Sequence, residues 1–478
     1  MSGRTMGPVD TIWLNMDRPD NLMVIDSLML LDGPVDWDRV RDVLQRRLVD
    51  RYPVFRQHPV RPPNPVAMPR WEDDADFDLE RHVVPVTLER ADDETLGAYV
   101  DSQTSRSFDR EHPLWECHFI DGGPGGSVIY LRIHHAIADG IALISVLVSL
   151  TDSEAGADLA EAAGDAVPVP PRGIPAGSPV SGLVQDAARL TRSAGATAAG
   201  LTKAAAEAAL ELPKHLGPHA VVDALTLAGR TGRVAGKLLL TAPPRGPLTG
   251  HPRTRKRAAW STAFPLRDVK RVGRASGATV NDVLLGAVAG ALRTYQIEHG
   301  AKPSDLTTMV PVNVRDLSKP LPPELGNEFA LVFFNYPCEV PGPLERVAES
   351  HRRMEEIKSS PEASVTFGLI GAIGRSGKEM ERLLVEFFAD KAVGVTTNVP
   401  GPRERRYIAG NGLASVLAWV PGSGHQTLGV SIVTYADEVR VGFKVDASRI
   451  PDPEALVEAF ESEVDTLSRV AAAVRQPH

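Results

Sequence analysis

Apolar positions follow two rhythms along this chain, and the switches between them outline its elements. "NLMVIDSLMLLDG" (Asn21 to Gly33) is an apolar run closing on Asp-Gly, the pattern of a strand that ends in a turn. From about Asp36 to Asp50 the spacing turns helical, with Val40, Val43, Leu44 and Leu48 on one stripe. "GSVIYLRIHH" is apolar on both alternating faces, as expected of a strand in the middle of a sheet. Directly beyond it, "DGIALISVLVSL" returns to helical spacing through Ile141, Ile144, Leu147 and Val148. His134 and His135 therefore fall where a central strand ends and a loop turns into a helix, a common location for functional groups.

The pattern breaks between about Thr151 and Gly250. "DAVPVPPRGIPAGSP" is rich in proline and glycine and reads as a linker. Ala-rich helical segments follow, punctuated by Arg189, Arg192, Lys203, Arg230, Arg233 and Lys237. Two readings stay open for them: helices packed across a domain junction, or basic amphipathic helices resting on a lipid surface. A second α/β region begins near Arg257. In it "GATVNDVLLGAVAGALRTYQ" is a helix opened by Thr279 with Asp282 three residues on, a capping-box pattern. Strands are expected at "LTTMVPVNV", "FALVFFNYPCEV", "AVGVTTNV", "LGVSIVTY" and "VRVGFKVD", before a closing helix from Pro453. The expected organisation is an α/β domain over 1–150, a partly helical linker over 151–250, and a second α/β domain over 251–478.

A chain of 478 residues exceeds one ordinary core, which agrees with two domains. A 43% apolar and 24% charged composition is that of a soluble globular protein, and a net charge of −9 argues against nucleic-acid binding. Cys117 and Cys338 are too few for a disulfide framework, so the chain reads as cytoplasmic and both thiols as buried small hydrophobes. No signal-peptide core and no run of 18 apolar residues is visible, so any membrane contact is expected to be peripheral.

Several chemistries fail on inspection. "GRSGKEM" (Gly374 to Met380) places Glu379 where a phosphate loop needs Ser or Thr for magnesium, and "GLIGAIG" is a small-residue helix face. No G-x-S-x-G elbow offers a serine nucleophile, and no His/Cys spacing suits zinc, so no metal is expected. The histidine pair survives. On a strand His135 faces with Ile129, Leu131 and Ile133, and His134 with Tyr130 and Arg132, so one ring can reach a cavity while the other packs. Asp139 can turn back to fix the loop, and Gly140 allows a close turn. Histidine supplies a neutral base at pH 7 with little tuning. Lacking a nucleophile, such a base would take a proton directly from an external acceptor. The alternative is a pair of hydrogen-bonded histidines at a strand end.

"HHAIADG" resembles the H-H-x-x-x-D-G motif of the chloramphenicol-acetyltransferase-like acyltransferases. Within them the chain is similar to the bacterial wax ester synthase/diacylglycerol acyltransferase family, on pieces spread nearly end to end. These are "MDRPDNLM", "HPLWECHFI", the Asn281-Asp282 pair, "VPVNVR", "GNEFALVFFNYP", "TNVPGP" and "VSIVTYADEVRVGFKVDASRIPDP". "IALISVL" after the motif and the turn in "YADEV" depart from the family pattern, which carries small residues or glycine there.

The resemblance implies two acyltransferase-like α/β domains with a substrate tunnel between them. It implies an acyl-CoA-dependent O-acyltransferase, with acyl-CoA as co-substrate and no other cofactor, acting on diacylglycerol or a long-chain alcohol. His135 would be the general base beside His134, Asp139 and Gly140; Asn281 would face the oxyanion; Asp139 would pair with Arg315. Pro113, Leu114, Trp115, Asp282 and Asn398 would contact substrate. "RTRKR" (Arg253 to Arg257) and "RERR" (Arg403 to Arg406) are candidates for the CoA phosphates. The implied location is cytoplasmic, with peripheral association to the inner membrane or lipid droplets. A carrier-protein-dependent condensation-type acyltransferase and an inactive lipid-surface protein on the same scaffold are the alternatives.

Overall fold

The structure is a computed structural model that describes residues 3–64, 67–157, 246–313, 315, 321–360 and 389–474. The Pro/Gly-rich linker, the Ala-rich segments and the glycine runs near 368–380 lie outside the described residues. The first-half strands are β1 (Arg4–Thr5), β2 (Val24–Leu31), β3 (Gln57–Val60), β4 (Arg70–Asp73), β5 (Val83–Thr87), β6 (Trp115–Gly123) and β7 (Gly126–His134). Those of the second half are β8 (Lys256–Trp260), β9 (Phe264–Pro265), β10 (Leu306–Asn313), β11 (Phe329–Tyr336), β12 (Gly394–Pro400), β13 (Tyr407–Ile408), β14 (Asn411–Trp419), β15 (Leu428–Tyr435) and β16 (Glu438–Asp446). The described helices are α1 (Pro8–Met16), α2 (Trp37–Leu44), α3 (Asp93–Gln103), α4 (Gly140–Ser149), α5 (Leu266–Ser276), α6 (Val280–Glu298), α7 (Pro343–Lys358) and α8 (Pro453–Val474).

Two large mixed sheets carry the architecture, in the orders β13-β14-β2-β7-β6-β5 and β11-β10-β12-β15-β16-β8, with β9 also on β16. A small sheet β1-β4-β3 flanks the first. Both faces of β7 are buried, because Ile129, Leu131 and Ile133 enter one core while Val128 and Tyr130 enter another. The stripe Val40, Val43, Leu44 and Leu48 joins the first of these cores. Asp36 caps α2 by accepting from the Asp38 and Arg39 amides, and the helix continues as a π turn over Gln45–Val49. Cys117 and Cys338 are both fully buried.

The two halves are not separate along the chain. β14, from the second half, pairs antiparallel with β2 and sets Trp419 opposite Asp26. Without it β2 would present an edge of unpaired N–H and C=O groups. β8, the first strand after the linker, stays with its own half, in the second sheet beside β16. The strand at 411–419 is not among those expected from the sequence, since its apolar residues run together at 416–419, and nothing local says which sheet it joins.

The β15–β16 hairpin turns on Ala436 and Asp437, both with positive φ (48° and 60°). A two-residue turn of this hand favours Asn or Gly, because a Cβ is strained there. We expect Ala436→Gly to stabilise the protein by about 1 kcal/mol, read as a higher denaturation midpoint at unchanged slope. A lower midpoint would show that the Ala436 methyl contributes more by packing than it costs in strain.

Candidate active site

At the end of β7 the two histidines diverge. The His134 amide donates to Leu114 O (2.9 Å) and the His135 amide to Met23 O (2.7 Å), so the strand end is tied to both neighbours. The His134 side chain is buried. Its Nδ1 accepts from the Ala136 amide at 3.0 Å, and its Nε2 stands 3.7 Å from Asp17 Oδ2, beyond hydrogen-bond length. Its Nε2 makes no hydrogen bond within the described residues. Asp17 is held instead by the Met23 amide (2.8 Å) and Arg110 Nη2 (2.9 Å). His134 thus shapes the loop from inside.

His135 keeps part of its surface open. Trp13 of α1 stacks on its ring, with centroids 4.2 Å apart and planes at 25°, and Phe329 stacks on Trp13 in turn at 5.8 Å. His135 Nδ1 lies 3.1 Å from Asn327 Oδ1. Although the ring is partly accessible, dense surroundings dominate its titration. Desolvation pushes its pKa down to about 4, against the weaker upward pull of its own backbone, Asp139 and Asn327. At neutral pH it is an uncharged imidazole, the state a general base requires.

Asp139 is structural. Its Oδ1 caps α4 by accepting from the Ala142 amide (2.8 Å), and its Oδ2 accepts from the Glu328 amide (2.9 Å) and from Arg315 Nη2 (3.2 Å). The same Arg315 nitrogen donates to Gly326 O at 2.9 Å, and the Gly326 amide donates to Ile137 O at 3.2 Å. A turn of the second half, with Leu325 and Gly326 at φ 54° and 88°, therefore clamps the histidine loop of the first. Gly140 corrects an expectation. It lies outside the positive-φ set, and a Cβ there would meet no atom within 4 Å, so the turn does not require glycine. Its missing side chain instead leaves open space at the N-terminus of α4.

The other expected contact residues sit within the packed protein. Pro113, Leu114 and Trp115 are buried. Leu114 O holds the His134 amide, while the Trp115 indole donates to Phe55 O at 2.8 Å and stacks on His82 at 4.6 Å. These apolar side chains support the strand from behind. Asp282 is also buried, accepting from the Thr279 amide (2.9 Å) and hydroxyl (2.7 Å), with His351 Nδ1 at 2.8 Å; it caps α6. Asn281, in the first turn of α6, accepts from Asn398 Nδ2 at 3.0 Å, and neither amide is hydrogen-bonded to His135.

The basic runs are largely engaged within the protein. Lys256 is paired with Asp446 at 2.8 Å, and Arg257 with Asp101 (3.1 Å) and Glu454 (2.6 Å). Arg405 pairs with Asp32, and Arg406 donates to Thr151 O at 2.6 Å beyond the end of α4. Beside α4 a narrow, half-open apolar cleft is lined by Met29, Ile144, Leu147, Val148, Val433 and Tyr435, among others. Ile144 and Val148 also touch Val399 of β12, so α4 bridges the halves.

Asp10, Trp13, Asn327 and Phe329 were not singled out by sequence reasoning. Asn327 lies within the quoted "GNEFALVFFNYP", but no local spacing links it to a histidine 192 residues away.

A histidine loop closing one sheet and clamped from the other half is set here in a fold shared with acyltransferases and peptide-synthetase condensation domains. The solved wax ester synthase/diacylglycerol acyltransferase of Marinobacter aquaeolei matches with a TM-score of 0.66 at 20% identity, covering 98% of this chain and 100% of that one. The first condensation domain of the calcium-dependent antibiotic synthetase matches at 0.57 and 16%, covering 99% and 97%. Residues 6–284 match the wax ester synthase/diacylglycerol acyltransferase catalytic domain, and 325–468 the C-terminal domain of that family. The chain belongs to the wax ester synthase/diacylglycerol acyltransferase family and is an acyltransferase. A probable diacylglycerol O-acyltransferase of Mycobacterium tuberculosis is 28% identical over 96% of this chain and 93% of its own. An O-acyltransferase of Acinetobacter baylyi is 25% identical over 98% of each.

Proposed function

We propose that the protein transfers a long-chain acyl group from acyl-CoA to the hydroxyl of a diacylglycerol or a long-chain alcohol, with His135 as general base. The observation that carries this reading is one neutral, partly accessible imidazole on a clamped loop. His135 takes the hydroxyl proton as the oxygen attacks the thioester carbonyl. The tetrahedral oxyanion then collapses, and the departing CoA sulfur receives that proton from the imidazolium. Asn281 is the donor proposed for the oxyanion. Its Oδ1 is taken by Asn398, which leaves its own N–H groups to donate, in a first helical turn whose dipole favours negative charge.

Substrates reach the base through a passage between the halves. The apolar cleft beside α4 takes the hydrocarbon chain, because Ile144 and Val148 lie roughly 6 and 12 Å along the helix from Gly140. Each methylene buried there contributes about 0.8 kcal/mol. Val148→Trp is therefore expected to lower kcat/KM for a sixteen-carbon donor about tenfold relative to an eight-carbon one; an unchanged ratio places the chain elsewhere. No single helix among the described residues is long and apolar enough to cross a membrane. Water-insoluble acceptors are met, on this reading, by peripheral contact with a membrane or lipid droplet.

The test supplies the purified full chain with palmitoyl-CoA and either a diacylglycerol or hexadecanol, in parallel with palmitoyl-pantetheine on a carrier protein. Ester formed from the CoA thioester supports the proposal, and the faster acceptor names the preferred product. Ester formed only from the carrier-bound thioester overturns it in favour of a condensation-type enzyme.

A further inference from the structure

We propose that Asn327 and Asp10 are positioning residues that hold His135 in the tautomer that presents the Nε2 lone pair for proton transfer. This rests on the reading of His135 as the base. Both N–H groups of the Asn327 amide face acceptors, Asp10 Oδ1 at 2.8 Å and the His135 carbonyl at 2.9 Å. Turning the amide over would set its oxygen against both of those acceptors. Asn327 Oδ1 is therefore the atom facing His135 Nδ1 at 3.1 Å. An amide oxygen only accepts, so Nδ1 carries the hydrogen and Nε2 presents its lone pair. The other tautomer would oppose two lone pairs at that distance.

Asp10 sets the amide in turn. It is buried, and its contacts all donate to it: the Asn327 amide at 3.0 Å, the Asn327 side chain, and the Gly7 amide at 3.2 Å. Burial raises its carboxyl above the usual value, while these N–H groups favour the ionised, accept-only form. The sequence of α1 makes the arrangement economical. Asp10 and Trp13 are three residues apart and share a helix face. Trp13 covers the plane of the His135 ring, while Asp10 acts on its edge through Asn327. One helix of the first half and one turn of the second thus meet on a single imidazole.

Losing tautomer control in a serine-protease triad costs about 10⁴-fold in kcat, but there a charged aspartate contacts the histidine. A neutral amide does less for the imidazolium, so a smaller effect of about 10–100-fold is expected here. The experiment measures kcat, KM for palmitoyl-CoA and the pH profile from about 2.5 to 8 for the full chain and for Asn327→Leu, Asn327→Asp, Asp10→Asn and His135→Ala, each checked by thermal melting. Asn327→Leu lowers kcat about 10–100-fold with KM unchanged and moves the acid limb to lower pH, since an acceptor that favours the imidazolium is gone. Asn327→Asp puts a carboxylate at the same place and moves that limb upward. Asp10→Asn follows Asn327→Leu with a smaller loss of kcat.

A merely structural role would lower melting temperature and leave the acid limb in place. Parent-like kcat and pH profile in folded Asn327→Leu overturn the relay. If that variant fails to fold, an acid limb that does not rise in Asn327→Asp overturns it instead. An active His135→Ala would sink the base assignment itself; an inactive one beside parent-like Asn327 variants removes only the relay.

Discussion

Replacing His135 with alanine lowers kcat/KM by about 10²–10⁴-fold, the usual worth of a positioned general base, and leaves the protein folded. The fold survives because the residue is held by its main chain: its amide donates to Met23 O and its carbonyl accepts from Asn327. What is lost is a ring stacked on Trp13, whose removal costs stability on the scale of a single aromatic contact, about 1 kcal/mol. The parent's pH profile carries a companion result. The base must be neutral, and burial holds its pKa near 4. The acid limb of kcat/KM therefore lies near pH 4 rather than at the ordinary histidine value of about 6.5. Activity stays flat as pH falls from 7 through 6 and declines only below about 5. A limb centred near 6.5 that vanishes in no variant would show that the titrating group is not this imidazole. A His135→Ala enzyme within threefold of the parent would remove it from the chemistry.

The local part of this site was readable in advance, and the reason is physical. The buried strand before His134, the stripe of α2 and the Thr279–Asp282 capping box depend on residues a few positions apart. Periodicity and caps report such relations directly. The partners that make His135 useful are of another kind. Asp10 and Asn327 are hydrogen-bonded across 317 residues, and no pattern within either segment encodes that meeting. The pairing of β14 with β2 is hidden for the same reason, since a strand's own residues do not specify its neighbour. Pro113, Leu114 and Trp115 show a subtler limit. Their apolar character suits a hydrophobic substrate and a buried wall equally well, and it takes the structure to show Trp115 packed on Phe55 and His82. Gly140 divides likewise between a turn requirement and the open space at the helix end, and its backbone decides for the space.

Asp26→Ala is expected to destabilise the protein by about 3–5 kcal/mol, the cost of breaking a buried ion pair on one side only. That is a large share of a typical total of about 5–15 kcal/mol. Asp26 lies fully buried in β2 and accepts from the Tyr130 hydroxyl (2.7 Å), Arg132 Nε (3.3 Å) and Lys444 Nζ (2.6 Å). Burial alone would raise its carboxyl, but the charges of Lys444 and Arg132 outweigh burial and hold it below the usual range. Its contribution is therefore present above the ordinary carboxylate pKa of about 4 and is lost as pH falls through the lower folded value. The variant should lack that part of the acid sensitivity. The two cations are not equally exposed to the loss. Arg132 keeps Glu116 at 3.1 Å and Arg106 O at 2.6 Å, whereas among the described residues Lys444 keeps only a hydrogen bond to Val24 O at 3.3 Å. Most of the penalty should then come from Lys444, which reaches from β16 of the second sheet to β2 of the first. Urea denaturation of Asp26→Ala and of Asp26→Ala/Lys444→Met separates the causes. Recovery of at least half the loss in the double variant assigns the cost to the stranded ammonium and makes this pair a charged tie between the two sheets. Equal losses in both variants would assign it to the packing of β2, and the tie would then contribute nothing of its own.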